Sequence, residues 1–226
     1  MKDKVYAVLT GDIINSRMIK GKEREVLLKT LNSTFDSIPK EKNKNKEGFK
    51  IFRGDSFQGI IFEPEKAIIH GIKIRAILRS ITPKESEFIW DTRISIGLGQ
   101  IDYFSQNTLT SDGEVFRNSG LALDKMETHE RTKITTPWQE INQELNLACV
   151  FLDTVIDRWK PAQARMVEKA LNGLKQQEIA KSLDISQPAV SKSLQSANWH
   201  AVELFIRRYQ ELITNKLNTN GTPGNG

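Results

Sequence analysis

Two aspartates stand where a carboxylate can do chemistry. Asp12 closes an apolar run in AVLTGDIINSR, and Asp55 sits in FRGDSFQGIIF; each lies beside a glycine and a β-rich stretch. Two carboxylates brought together at a sheet edge offer hard oxygen ligands to Mg²⁺ or Mn²⁺, and such an ion commonly arrives with substrate phosphates. Taken singly, either residue is an ordinary aspartate of a turn. Ser16 and Arg17 follow the first run closely and are candidates to touch a phosphate, with helix capping an equal reading for Ser16.

A second chemistry is written into residues 176–195, QQEIAKSLDISQPAVSKSLQ. Ile179, Ala180 and Leu183 share one helical face, Asp184 and Ile185 make a corner, and Val190 and Leu194 line the inside of a second helix. Ser186 is a good N-cap, and Pro188 falls in the first turn, where a missing N–H is harmless. Gln187, Pro188, Ala189, Ser191, Lys192 and Gln195 remain for the outer surface, short, polar or basic enough to reach base edges and phosphates. Lys175 and Lys181 flank the first helix, and Arg207 and Arg208 lie in the last; all four are candidates for phosphates. The window resembles the helix-turn-helix of bacterial regulators and sigma-factor-like domains. The alternative is a helical hairpin with a merely solvated polar face.

The elements that must position these residues fall into two groups. Residues 1–137 alternate strands and helices: strand 5–10 ended by Gly11-Asp12, helix 22–38, a hairpin of 49–53 and 56–62 turning at Gly54-Asp55, helix 64–81, strand 93–101, helix 113–126 and a short strand 133–135. Residues 40–48, KEKNKNKEG, read as a solvated loop. From Trp138 the pattern is all helical, with one long helix over 138–159, helix 161–171, the helix-turn-helix and a closing helix over 198–215. Residues 216–226 read as a disordered tail.

The order strand, helix, hairpin with Gly-Asp, helix, RISIGLG resembles the class III nucleotidyl cyclase domain and its diguanylate cyclase cousins, over about residues 4–126. That resemblance implies a palm-like, ferredoxin-like fold, Asp12 and Asp55 as metal ligands with the Ile13 carbonyl nearby, and a nucleotide ligand. It implies Arg117 and Asn118 as the groups that hold ribose and phosphate, although their spacing departs from the family's. The family's base-reading lysine has no counterpart in register: Lys50 is one position too far, and Arg53 is the candidate to reach a phosphate or base instead. Little or no cyclase turnover is therefore expected. More narrowly, VYAVLTGDIINSR with FRGDSFQ and the C-terminal helix-turn-helix resembles the SatD family.

Composition sets the frame. The chain has 226 residues, 38% hydrophobic and 27% charged, with a net charge of +5. That balance suits an anionic partner such as DNA or a nucleotide. The one cysteine, Cys149, lies in an apolar run and can make no disulfide framework. The three histidines show no metal-ligand spacing, and no stretch approaches a membrane span. The expectation is an α+β palm-like domain followed by an all-α DNA-binding domain, cytoplasmic and homodimeric, with the helix over 138–159 as candidate dimer surface. A regulator sensing a nucleotide or phosphorylated ligand leads; an enzyme of nucleotidyl transfer or cyclisation is the rival, and a palm relic that mediates dimerisation a third reading.

Overall fold

A computed structural model describes residues 4–39, 48–103, 105 and 108–219. Among the described residues five strands form one mixed sheet, and eight α-helices accompany it. The central strand β1 (Tyr6–Ile13) pairs antiparallel with β3 (Ser56–Ile61) on one side and β4 (Thr92–Gly99) on the other. The hairpin partner β2 (Phe49–Phe52) lies outside β3, and β5 (Thr132–Thr135) lies parallel to β4, giving the order β2-β3-β1-β4-β5. The charged stretch 40–48 falls, but for Gly48, outside the described residues.

Strand β1 does not stop at Gly11-Asp12 as the sequence suggested. It runs to Ile13, because both of its edges are paired through that point, Asp12 standing opposite Ser56 and Arg93. Gly11 permits this: a Cβ there would meet the Phe57 ring at 2.4 Å and the Arg93 carbonyl at 2.7 Å.

The alternation of β1 sorts its side chains between two layers. Ala7, Leu9 and Ile13 face α1 (Gly21–Asp36) and α2 (Ala67–Ser80), where they join the main core with Leu31, Phe35, Ile68 and Ile72. Val8 faces the other way and packs with Ile60, Val115 and Phe116 under α3 (Glu114–Asp124). Thr10 lies on that second face, within hydrogen-bond reach of Ser119 of α3 and 3.0 Å from the Gln58 amide.

Helix α4 (Gln139–Ile156) closes the sheet. Asn146 accepts from the Ile134 N–H at 2.9 Å and donates to the Ile134 carbonyl at 2.8 Å, so it pairs with the open edge of β5 as another strand would. Asn142 does the same for Thr136. One helical turn pair further on, Asp153 accepts from the N–H groups of Arg131 and Thr132. An unpaired edge is a template for aggregation, and this polar stripe removes it.

Helices α5 (Pro161–Leu171), α6 (Gln176–Leu183), α7 (Gln187–Ser196) and α8 (Trp199–Thr219) complete the chain. They share one core with the sheet layer: Ile141, Leu145, Trp159, Ile179, Leu194 and Ile213 belong to the same buried cluster as Leu9 and Ile72. The Tyr209 hydroxyl donates to the Pro64 carbonyl at 2.9 Å. The packing has no gap at Pro137. Helix α8 also continues through Thr219, beyond the end read from the sequence, with Lys216 held by Glu140 at 2.6 Å and Leu217 packed on the core. Residues 220–226 lie outside the described residues.

Candidate functional site

The first candidate site is the end of β1. Its neighbour there is the β2–β3 turn, in which Arg53 and Gly54 both have positive φ, 53° and 82°. Glycine takes that conformation freely; arginine does so at a cost of about 1 kcal/mol or more. The turn is clamped. The Ile13 N–H donates to the Asp55 carbonyl at 3.0 Å, and the Ser16 hydroxyl donates to the Asp55 carboxylate at 2.6 Å. Arg24 of α1 reaches across to the Gly54 carbonyl at 2.7 Å and the Ser16 carbonyl at 3.1 Å. Nothing in the local pattern singles out Arg24, a half-buried residue in the first turn of α1.

Asp12 has a different partner. Its carboxylate takes two bonds from the Arg93 guanidinium, at 2.5 and 3.0 Å, with both side chains a little under one-third exposed. The carboxylate raises the Arg93 pKa further. The Thr92 hydroxyl donates to the Asp12 carbonyl at 2.6 Å. Asp12 therefore stands on the α3 face with Arg93 and Ser56, whereas Asp55 stands at the rung of Ile13 and turns to Ser16. The two carboxylates share no partner. Among the described residues no group of three or more His, Cys, Asp or Glu could hold a metal ion. Each carboxylate is engaged, Asp12 by Arg93 and Asp55 by Ser16, so a Mg²⁺ or Mn²⁺ ion held there would have to compete with these bonds.

The other sequence candidates of this region are not brought to Asp12. Arg17, next to Ser16, and Arg53, two residues before Asp55, are exposed. Arg117 lies at the other end of β4, paired with Asp112 at 3.0 Å and Asp102 at 3.6 Å. Six residue steps of strand lead from Arg93 to Gly99, about 20 Å at the usual rise. Asn118 bonds Glu114 at 3.4 Å within its own helix. What the β1 end offers is an arginine beside an aspartate, a pair that a phosphate could enter by taking the guanidinium.

The second candidate is the surface of α7. The α6–α7 corner is a three-residue connection with Asp184 in the left-handed region at φ 53°. The Ile185 N–H reaches back to the Ala180 carbonyl at 3.1 Å, and the Ser186 hydroxyl accepts from the Ala189 N–H at 3.4 Å. Val190 and Leu194 are buried with Ile179 and Ala180, and Gln187, Pro188, Ala189, Ser191, Lys192 and Gln195 are exposed. Lys175, Lys181 and Lys192 are also exposed, and among the described residues none of the three is in an ion pair. Arg207 and Arg208 differ: Arg207 pairs with Glu203 at 3.3 Å, and Arg208 with Glu144 and Glu211 at 2.8 and 3.2 Å. They are partnered cations of the α4–α8 surface.

Two further features bear on partners. Leu147, Val150 and Phe151 of α4 and Leu204 of α8 are half or more exposed. No helix among the described residues is long and apolar enough to cross a membrane. Comparison with curated proteins gives no match. The family model described as the SatD family matches residues 6–214, nearly the whole described chain. The chain belongs to the SatD family.

Proposed function

We propose that the protein is a cytoplasmic DNA-binding regulator, read through α6 and α7 as a helix-turn-helix, whose sheet layer receives a phosphorylated ligand. The observation that carries this reading is the outer face of α7. Its first turns expose Gln187, Ala189, Ser191 and Lys192 together, while Val190 and Leu194 seal the opposite face. Amide, hydroxyl and ammonium groups near the N-terminus of an exposed helix are what a major groove takes. The unpaired Lys175, Lys181 and Lys192 supply phosphate contacts.

The order β1-α1-β2-β3-α2-β4 with β1 between β3 and β4 supports a ferredoxin-like, palm-type reading of the sheet layer. A nucleotide or other phosphorylated ligand would approach Asp12 and Arg93. A divalent ion would join it only if Asp12 gave up Arg93. The rival reading, a cyclase or nucleotidyl transferase, is less favoured: Arg117 and Asn118, at the positions of the cyclase family's arginine and asparagine, are engaged elsewhere and would not join Arg93 in stabilising a phosphoryl-transfer transition state at Asp12.

A helix-turn-helix monomer makes a small interface, and dimers commonly read two half-sites. The exposed Leu147, Val150 and Phe151 recur at helical spacing on α4, and a second copy of the chain is the partner proposed for them.

The test is selection of duplexes from a random library by the full chain, repeated with Gln187→Ala. Recovery of a two-fold-related sequence, with preference relaxed at one base pair per half-site in the variant by about 1–3 kcal/mol, supports the reading. Recovery of no sequence preference, or the same preference from both proteins, contradicts it.

A further inference from the structure

The sheet layer and the helices after α4 face each other across a cleft of about 770 Å³, walled by α1, α2 and α5. Its charged lining is one-sided. Lys29 of α1, Lys73 of α2, and Arg165 and Lys169 of α5 surround it, against a single carboxylate, Glu168. Glu168 already accepts the Asn172 amide, and Arg165 reaches over to the Ser80 carbonyl at 3.3 Å. Lys29, Lys73 and Lys169 are in no ion pair among the described residues. In this they are like Lys175, Lys181 and Lys192; what distinguishes them is that they line one site with no carboxylate but Glu168, whereas Arg75, Arg79, Arg93, Arg117, Arg207, Arg208, Lys66, Lys133 and Lys216 all have carboxylate partners.

A solvated lysine face would run along one helix. Here the cations come from three helices in both parts of the chain and converge on one concavity, where like charges repel and the field is focused. Thr30 and Ser33 add hydroxyls from the α1 wall. The volume lies within the range of small-molecule sites, about 300–1,000 Å³. An anion there would relieve the repulsion and accept charge-assisted hydrogen bonds from both sides.

We propose that the cleft between α1–α2 and α5 binds a small polyanion carrying two or more phosphate groups, held by Lys29, Lys73, Arg165 and Lys169. This site is separate from the Asp12 end of the sheet and does not depend on the DNA reading. Its occupant would bridge the sheet layer to α5, the helix that leads into α6, so it is placed to change how firmly α6 and α7 are held.

The test uses the full chain and inorganic triphosphate as probe, with inorganic phosphate for comparison, in titration calorimetry at fixed ionic strength. Expected are binding of triphosphate well above that of phosphate, and a loss of about tenfold or more in Lys73→Ala and in Lys169→Ala. Lys73→Arg, which keeps the charge, should retain binding, and Lys125→Ala, an exposed lysine outside the cleft, should bind as the parent does. Absence of triphosphate binding to the parent protein overturns the proposal, as does binding that both alanine variants keep. A parallel titration with duplex DNA separates the other source of phosphate: if Lys73→Ala and Lys169→Ala lose duplex affinity and keep triphosphate affinity, the cleft is part of a DNA track and the small-ligand site is wrong.

Discussion

Arg75 of α2 and Asp153 of α4 meet at 2.6 Å inside the protein, and the pair is the centre of a larger set. Arg75 also binds both oxygens of Asp91, at 3.0 and 2.8 Å, and reaches Asp157 at 2.8 Å. Arg79 binds Asp91 at 2.7 Å and the carbonyls of Asp157 and Trp159. The set is connected at both ends: the Ile14 N–H donates to the Asp91 carbonyl, and the Trp159 indole donates to the Ala197 carbonyl at the end of α7. A continuous line of hydrogen bonds thus runs from the end of β1 to the helix proposed to read DNA.

Removing Arg75 leaves Asp153 buried without a cation, which typically costs about 3–5 kcal/mol. Arg75→Ala is expected to lower stability by about that much in urea denaturation, and Asp153→Ala by less, because Arg75 keeps Asp91 and Asp157. Because the network and the core span both parts, the parent chain should unfold in one transition followed equally by tryptophan fluorescence and circular dichroism. Two separated transitions would show that the parts are independent.

His70 of α2 titrates far below its usual range. Burial lowers its pKa to about 4, with Lys73 adding to the effect, and its Nδ1 has no hydrogen-bond partner among the described residues. The unfolded chain therefore takes up a proton near pH 6.5 that the folded chain refuses until about pH 4. Stability is full above that window and falls as pH drops through it, by about 1–2 kcal/mol between pH 7 and pH 5. His70→Leu should flatten that part of the profile in urea melts. An unchanged pH slope would mean that His70 is not the group responsible.

The Arg93–Asp12 pair competes with any metal cation for the Asp12 carboxylate. Arg93→Ala is expected to increase Mn²⁺ affinity severalfold over the parent, and Asp12→Asn in the same background to abolish the gain. Mn²⁺ relaxation or calorimetry reads both. Equal Mn²⁺ binding by parent and Arg93→Ala would show that the ion pair does not govern the site.

Phe151 is the most exposed residue of the apolar stripe of α4, at 65%. If a second copy covers it, Phe151→Glu should turn a dimer into a monomer in light scattering with little change in the urea midpoint. A parent protein that is monomeric at tens of micromolar would remove this surface from the account.

Much of the architecture was readable from the sequence because it is written in local pattern. The hairpin follows from Gly54-Asp55 between two β-rich runs, and the α6–α7 corner from Ile179, Ala180, Val190 and Leu194 with a serine cap. The rest depends on contacts distant in sequence. That Arg93 would oppose Asp12 follows only from the β1–β4 register, which fixes pairs some eighty residues apart. Asn142, Asn146 and Asp153 lie on one stripe of α4 and could have been seen as polar interruptions of an apolar helix; their task, closing the β5 edge, required knowing where the sheet ends. Contacts cross the break read at Pro137: Arg75 binds Asp153, Tyr209 binds the Pro64 carbonyl, and Arg79 binds the Trp159 carbonyl. For the same reason the helical segment should not be tested alone.

The central claim is DNA binding through α6 and α7, and the most direct measurement is the salt dependence of full-chain binding to labelled genomic duplexes, followed by fluorescence anisotropy. Each phosphate neutralised contributes about 0.9 to the fall of log K with log salt. The account predicts measurable binding at low salt, a slope of several units, and in Lys181→Ala a weaker affinity for every duplex with the slope reduced by about 0.9. Absence of binding by folded protein at low salt, or a slope and affinity unchanged in Lys181→Ala and Lys192→Ala alike, would contradict it.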